Sequence, residues 1–157
     1  MYPLEGKLKG RATRPRARVT RDYSIDDQIG FLFRLAVQRN TAIFTERMVE
    51  ELTPTQFAAL ARLYEVGPCS QNRLGRLTAM DAATIKGVID RLTKREFTEL
   101  RADLKDARLL MVHLTRKGRD TTKRAIEQGL RITAETLRPL SRAEQQALIK
   151  TLRKLCL

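Results

Sequence analysis

Apolar residues recur at helical spacing along most of this chain, and polar caps mark where each run begins. Ile25, Ile29, Leu32, Phe33, Ala36, Val37, Ile43, Phe44 and Met48 form one broad stripe, opened by Ser24 and Asp27 as a capping pair. Thr53-Pro54-Thr55-Gln56 is a capping box for a second helix carrying Phe57, Leu60, Leu63 and Tyr64, which Gly67 and Pro68 stop. Ser70 caps a short helix with Leu74, Leu77 and then Met80. Asp81 caps another, with Ile85, Val88, Ile89 and Leu92 at i, i+3, i+4 and i+7. From Phe97 to Ala102 the helical period is lost. Asp103 to Arg108 make a charged connector, and Leu110, Val112 and Leu114 then alternate with Leu109, Met111 and His113, the pattern of a two-stranded hairpin. Thr115 caps a helix that runs through Leu137 and ends at Pro139, and Ser141 with Glu144 opens the last, to Leu155. The predicted order is α-α-α-α-β-β-α-α, a mainly α chain with a small two-stranded β-wing.

The third and fourth helices are joined by a tight connector, with the small residues Gly75 and Ala79 near their crossing, where a larger side chain would push the backbones apart. The fourth buries one face and leaves Ala83, Thr84, Lys86, Gly87 and Asp90 outward, the spacing of a helix-turn-helix with its recognition helix. A β-ribbon beside such a motif makes it the winged variant, whose tip brings a cation near the neighbouring minor groove; Lys105 and Arg108 are the candidate tip cations. The candidate DNA-binding set is therefore Ser70, Gln71, Ala83, Thr84, Lys86, Gly87, Lys105 and Arg108.

Charge strengthens this picture. The 157 residues carry a formal net charge of +13, with an isoelectric point near 10.5, the footprint of a phosphate-binding surface. Residues Met1 to Arg21 hold seven cations against Glu5 and show little apolar periodicity, which predicts a disordered basic arm; without it the remainder still carries +7. The arm either adds phosphate contacts or is a solvated tail. Membranes are the competing polyanion, but no stretch is long and apolar enough to span one and no secretory h-region opens the chain, so a cytoplasmic protein is expected.

Cys69 and Cys156 lie far apart and His113 is the sole histidine, so no metal, no cofactor and no disulfide framework is expected. Cys69 stands just before a helix N-terminus, where a thiol is either activated for oxidation or simply a small buried hydrophobe. His113 falls on the outward set of the second wing strand. With no nucleophile motif, no Gly-rich phosphate loop and no paired carboxylates, the chain is not expected to be an enzyme.

The terminal helices carry further apolar stripes, Ala125, Ile126, Leu130 and Leu137, then Ala147, Leu148, Leu152 and Leu155, remote from the wing. Either they pack within the chain or they pair across a two-fold axis with the first helix of a second copy. A homodimer is the favoured expectation, since its two recognition helices would meet successive major grooves of a palindromic operator and double a thin set of base contacts. The expected division is 1-22 basic arm, 23-50 with 116-157 helical dimerisation module, and 51-115 winged helix-turn-helix domain.

From Ser24 to the C-terminus the chain resembles the MarR family of winged-helix transcriptional regulators. LTPTQFAAL opens the second helix, LGRLTAMDAATIKGVIDRLTKR is the helix-turn-helix, and DLKDARLLMVHLTRKG supplies the wing with its Asp-x-Arg and Leu-Thr-x-x-Gly elements. The resemblance implies an obligate dimer, with Asp106 bracing the wing, Arg108 entering the minor groove, Ala83, Thr84, Lys86 and Gly87 facing the major groove, and Thr115 and Gly118 structural. Two positions depart from the family: Glu96 stands where Gly usually follows the recognition helix, and Leu104 where Pro usually opens the wing turn. DDQIGF, TAIF, LTPTQFAALA and LYEVGPCSQN look like a subgroup that represses nicotinic acid degradation and responds to 6-hydroxynicotinic acid. That likeness implies a small aromatic carboxylate in a crevice beside the dimerisation helices. Such an anion needs a cation and hydrogen-bond donors in an apolar cleft, and Arg34, Gln38, Arg39, Asn40 and Tyr64 are the candidates. The expected function is a ligand-responsive dimeric repressor; the alternatives are an effector-independent architectural nucleic-acid binder and a redox-responsive regulator acting through Cys69.

Overall fold

The computed structural model describes residues 23–103, 106 and 108–156. The expected basic arm, Leu104 and the candidate tip cation Lys105 lie outside them. Helices α1 (Ile29–Arg47), α2 (Pro54–Val66), α3 (Gln71–Leu77), α4 (Ala82–Lys94), α5 (Arg116–Leu137) and α6 (Arg142–Leu155) alternate with strands β1 (Cys69–Ser70), β2 (Thr98–Ala102) and β3 (Leu110–Leu114). The strands form an antiparallel sheet in the order β1-β3-β2.

The expected caps are largely in place. The Thr53 and Ser141 boxes close on Gln56 and Glu144 in both directions. Ser70, Asp81 and Thr115 each accept a backbone N–H three residues on. The first expectation that changes is Ser24. It accepts from Asp26 N and caps a 3-10 turn, Ile25–Asp27, while α1 begins at Ile29 after Gln28, whose side chain makes no capping bond. The second is the sheet, which has three strands: Cys69 and Ser70 pair with Val112 and Met111. Two residues are too few to show a period of two, and only β3 lying alongside makes them a strand.

The core is the one the helix-turn-helix periodicity requires. Leu60, Leu63, Leu74, Ile85, Val88, Ile89 and Leu92 are buried together with Phe97, just before β2, and Val112 of β3. Gly75 sits at the crossing of α3 and α4, where a Cβ would stand 3.0 Å from the Met80 carbonyl oxygen and 3.2 Å from Ile85. Ala79 does something else. It is not a crossing spacer but the left-handed residue (φ 53°) that ends α3, with Met80 N donating to Gly75 O and Ala79 N to Arg76 O, the paired bonds of a Schellman motif. Helix α4 ends the same way. Phe97 N donates to Leu92 O, Glu96 N to Thr93 O, and Glu96 adopts φ 62°. The departure at Glu96 therefore leaves the helix end intact, with a β-carbon carried into a region that glycine enters at no steric cost.

The carbonyls just beyond α4 are taken by the start of α5. Lys117 Nζ donates to Arg95 O (3.0 Å), Thr115 Oγ1 to Glu96 O (2.6 Å) and Thr115 N to Phe97 O (3.1 Å). Gly118 follows so closely that a Cβ on it would overlap the Phe97 carbonyl. Farther along, α5 packs on α1, where Asn40 Nδ2 donates to Thr136 Oγ1 at 3.0 Å. The outer faces stay open. Ile29 (60% exposed), Val37 (63%), Leu130 (69%) and Leu155 (65%) face outward, and no residue of α6 is buried.

Two measurements test these junctions. Gly118→Ala should destabilise the fold by about 3 kcal/mol in denaturant unfolding, because carbonyl and Cβ cannot share the space, whereas Glu96→Gly should raise stability by about 0.5–1 kcal/mol. The Asp81 carboxyl, held below the usual aspartate range by the Thr84 backbone and hydroxyl bonds, favours the fold above its unfolded-state pKa and ceases to do so as pH falls through its folded-state value. Asp81→Asn keeps a good cap without the charge. Its acid-unfolding profile should therefore be flatter than the wild type's, and superimposable profiles would refute the capping role of the charge.

Candidate nucleic-acid interface

Helix α4 turns Ala83, Thr84 and Lys86 fully outward and Gly87 partly so, because Ile85, Val88, Ile89 and Leu92 occupy the opposite face in the core. Thr84 is locally fixed. Its N–H and hydroxyl both donate to the Asp81 carboxylate, at 2.7 and 3.0 Å, which leaves the hydroxyl oxygen as an acceptor and the methyl group free toward solvent. Lys86 Nζ lies 3.0 Å from Asp90 Oδ2, an exposed i,i+4 pair that contributes little to stability but draws the ammonium toward the helix's midline.

Ser70 and Gln71 open α3 beside this face. With Asn72, Ala82, Lys86, Leu109 and Leu110 they line an open cleft of about 360 Å³ between the starts of α3 and α4 and the base of the wing. The structure thus brings Ser70, Gln71 and Lys86 together. It adds Asn72 and the wing leucines, which periodicity alone does not single out because each sits next to a cap or a turn. The wing is held by Asp106. Its carboxylate accepts from Arg108 N (3.0 Å), its carbonyl from Leu109 N (2.9 Å), and its own N–H donates to Asp103 Oδ1 (3.1 Å), so the turn carrying the exposed Arg108 is tied at several points. His113 is half-buried opposite Glu99 on β2, less solvated than expected from strand alternation alone.

Recognition-helix placement depends on a second anchor. Arg95, just beyond α4, donates to the Glu50 carbonyl at 2.6 Å, and the Glu50 carboxylate accepts from Arg124 of α5 at 2.8 Å. Glu50 and its neighbour Glu51 both have left-handed backbones, φ 55° and 48°, in the link between α1 and α2. Non-glycine residues persist there only where surrounding contacts hold them. The signal that could have found Arg95 in the sequence is absent, since its partner lies 45 positions away.

The five candidate ligand residues do not converge within one chain. Arg39 donates to the Glu135 carbonyl and Asn40 to Thr136, both bridging α1 to the C-terminal part of α5. Arg34 stacks over Phe31 on its own helix, and Gln38 is exposed. Tyr64 sits beside Arg119 near the start of α5, 6.0 Å from ring centroid to guanidinium. Arg119 and Thr136 are separated by about 25 Å along that helix at 1.5 Å per residue. None of the five lines the apolar cavity of about 370 Å³ formed by Phe44, Thr45, Met48, Glu51, Leu52, Thr53 and Pro54.

Cys69 is wholly buried in β1, and burial pushes its thiol up despite the nearby charge of Arg73. A protonated, inaccessible sulfur is a poor nucleophile, so the redox reading is not supported. Among the described residues no cluster of His, Cys, Asp and Glu could hold a metal ion, and no helix is long and apolar enough to cross a membrane.

Comparison with known proteins agrees with this geometry. The MarR family model matches residues 52–110, from the start of α2 to the start of β3. The transcriptional repressor NicR of Pseudomonas putida is 37% identical over 134 residues, 85% of either chain. Among solved structures, a probable transcriptional regulator from Pseudomonas aeruginosa is 50% identical with a TM-score of 0.81, covering 84% of this chain and 99% of that one. BpsR of Bordetella bronchiseptica, whose DNA binding is regulated by 6-hydroxynicotinic acid, is 36% identical with a TM-score of 0.80, over 85% of this chain and 96% of its own. With a recognition helix, a braced wing and relatives alike over most of its length, the chain belongs to the MarR family of transcriptional regulators.

Proposed function

We propose that this regulator is a dimeric repressor that binds a palindromic operator and is released by a small aromatic carboxylate. The observation that carries the DNA half of this reading is that the exposed outward face of α4, with Lys86, shares an open cleft with the half-buried Ser70 and Gln71 at the start of α3 and with the base of the wing, whose Asp106-tied turn carries the exposed Arg108. Ala83, Thr84, Lys86 and Gly87 face the major groove in this arrangement, Lys105 and Arg108 flank the minor groove, and Ser70 and Gln71 meet the backbone at the head of α3.

The dimer is supported by the apolar surface that one chain leaves uncovered on α1, α5 and α6. Residues 23–50 and 116–157 form the pairing module in this reading, and 51–115 the DNA-binding domain. The effector class is supported by likeness to NicR and BpsR, and 6-hydroxynicotinic acid is the first compound to test. Because Tyr64 lies far along α5 from Asn40, Arg34, Gln38, Arg39 and Asn40 are the group that could act together, completed by the partner's α1 once two such helices pair.

In footprinting, a discrete palindromic footprint released by the effector is expected; uniform coverage insensitive to small molecules would instead mark an architectural binder. Lys86→Ala should cost about 1–3 kcal/mol per half-site on the specific sequence. Arg108→Ala should weaken all sequences alike and lower the slope of log K against log salt by about 1. Unchanged binding by both variants overturns the assigned face. In a thermal-shift titration a ligand at a hundred times its Kd adds about 2.7 kcal/mol to apparent stability, a rise of several degrees. No rise with nicotinate, 6-hydroxynicotinate or other aromatic acids would remove the effector assignment while leaving the DNA reading standing.

A further inference from the structure

The outward face of α4 holds a second cation whose placement differs from that of Lys86. Arg91 folds back one turn toward the helix N-terminus and lies over Gly87. The position of a Cβ on Gly87 would be 3.4 Å from its Nη1, 3.7 Å from Nη2 and 3.9 Å from Cζ. Such a direction is the usual one for a long helical side chain, and with glycine at 87 no side chain stands between the guanidinium and the helix backbone. Ala83, Gly87, Asp90 and Lys94 run down the middle of the exposed face at i, i+4, i+7 and i+11, with Lys86 and Arg91 on its two flanks.

We infer that Arg91 is a specificity-determining residue of the DNA face, its guanidinium held over Gly87 to read a guanine in the major groove. This rests on the assignment of that face in the proposed function and names the base it selects. Five considerations converge. Lys86, on the other flank, is drawn to Asp90, whereas Arg91 takes part in no ion pair among the described residues. The midline is nearly bare at Ala83 and Gly87, so the helix can approach the groove floor where base edges lie. The flat backbone beneath the guanidinium pre-orients it, reducing the side-chain freedom lost on binding. Its planar fork matches guanine O6 and N7, two acceptors side by side, which an ammonium engages only as a point charge. Asp90 on the same face repels phosphate and leaves base edges as the better partners for a cation placed there.

The experiment begins with in vitro selection of operator sequence by the full-length wild-type protein, followed by affinity measurements for the wild type, Arg91→Ala and Arg91→Lys. The expected result is a symmetric G·C pair at which Arg91→Ala loses its preference by about tenfold per half-site, with other positions unchanged. Arg91→Lys should leave salt dependence intact without restoring the preference. Replacing the guanine by 7-deazaguanine, which lacks the N7 acceptor, should weaken the wild type and leave Arg91→Ala unaffected; because this probe works on the wild type, it holds even if a variant folds poorly. Uniform weakening of all sequences by Arg91→Ala, with a shallower salt slope, would mean a phosphate contact and overturn the assignment. So would indifference to 7-deazaguanine at every selected guanine. Recovery of a palindrome sensitive to Lys86→Ala but indifferent to Arg91→Ala defeats this inference alone. Selection of no palindrome by the wild type, with Lys86→Ala and Arg91→Ala both silent, defeats the DNA-face assignment itself.

Discussion

The end of the recognition helix is held by the beginning of α5, and the rest of the architecture depends on that junction. A helix leaves its last carbonyls without partners, and here the three carbonyls that follow α4, from Arg95, Glu96 and Phe97, are satisfied by Lys117, Thr115 Oγ1 and Thr115 N. Lys117 also brings a positive charge to the negative end of the α4 dipole and lies 5.2 Å from the Phe97 ring centroid, with Arg95 at 4.7 Å on the same ring. Gly118 is what allows the approach. One junction thereby orients the recognition helix, starts the wing strand β2 and launches the longest helix among the described residues.

That helix makes the junction relevant to control. At 22 residues α5 is about 33 Å long, with the end of α4 at one terminus and the Asn40–Thr136 contact to α1 near the other. Between them Arg124 grips Glu50, which also receives Arg95 through its carbonyl. A tilt of α1 against α5 therefore has two mechanical routes to α4, one through the helix itself and one through the α1–α2 link. Glu50 and Glu51 hold left-handed backbones that cost on the order of 1–2 kcal/mol each, and the bonds from Arg95 and Arg124 to Glu50 help to hold the link in that form. A coupling of a few kcal/mol is the size that ligand-dependent DNA binding needs.

How far the sequence carries depends on how local each cause is. Thr53, Ser70, Asp81, Thr115 and Ser141 act within three residues of themselves, and all cap the helices expected of them. The core stripe of α4 is equally local. Ser24 misleads because a cap on a 3-10 turn and a cap on a helix begin with the same residues. Strand β1 exists only through β3, and Ala79 owes its left-handed backbone to the hydrogen bonds that close α3 rather than to its small size. The ligand candidates show the largest gap. Helix membership is legible for Tyr64 and Asn40, but which end of α5 each meets is set by tertiary packing between segments many residues apart. Arg91 falls between these cases, since its position on the face follows from helical period while its resting place over Gly87 requires side-chain coordinates.

The recognition surface is chemically sparse, and this sparseness constrains the assembly. The middle of α4 offers two small residues, an aspartate and a lysine, and one of its flanking cations is partly neutralised by Asp90. Each well-placed bidentate base contact is worth about 1–3 kcal/mol, whereas specific DNA binding exceeds non-specific binding by about 4–10 kcal/mol. One copy of this face falls near the bottom of that range even with the wing added. Two copies on a rigid spacing reach it, and the spacing becomes part of the specificity because both faces must meet their grooves at once. The apolar surface left open on α1, α5 and α6 is on the elements that would set that spacing, joined through α5 to the junction that orients α4. In the proposed dimer, pairing, sequence reading and release would draw on the same helix, because α5 joins the contact with α1 to the junction that orients α4.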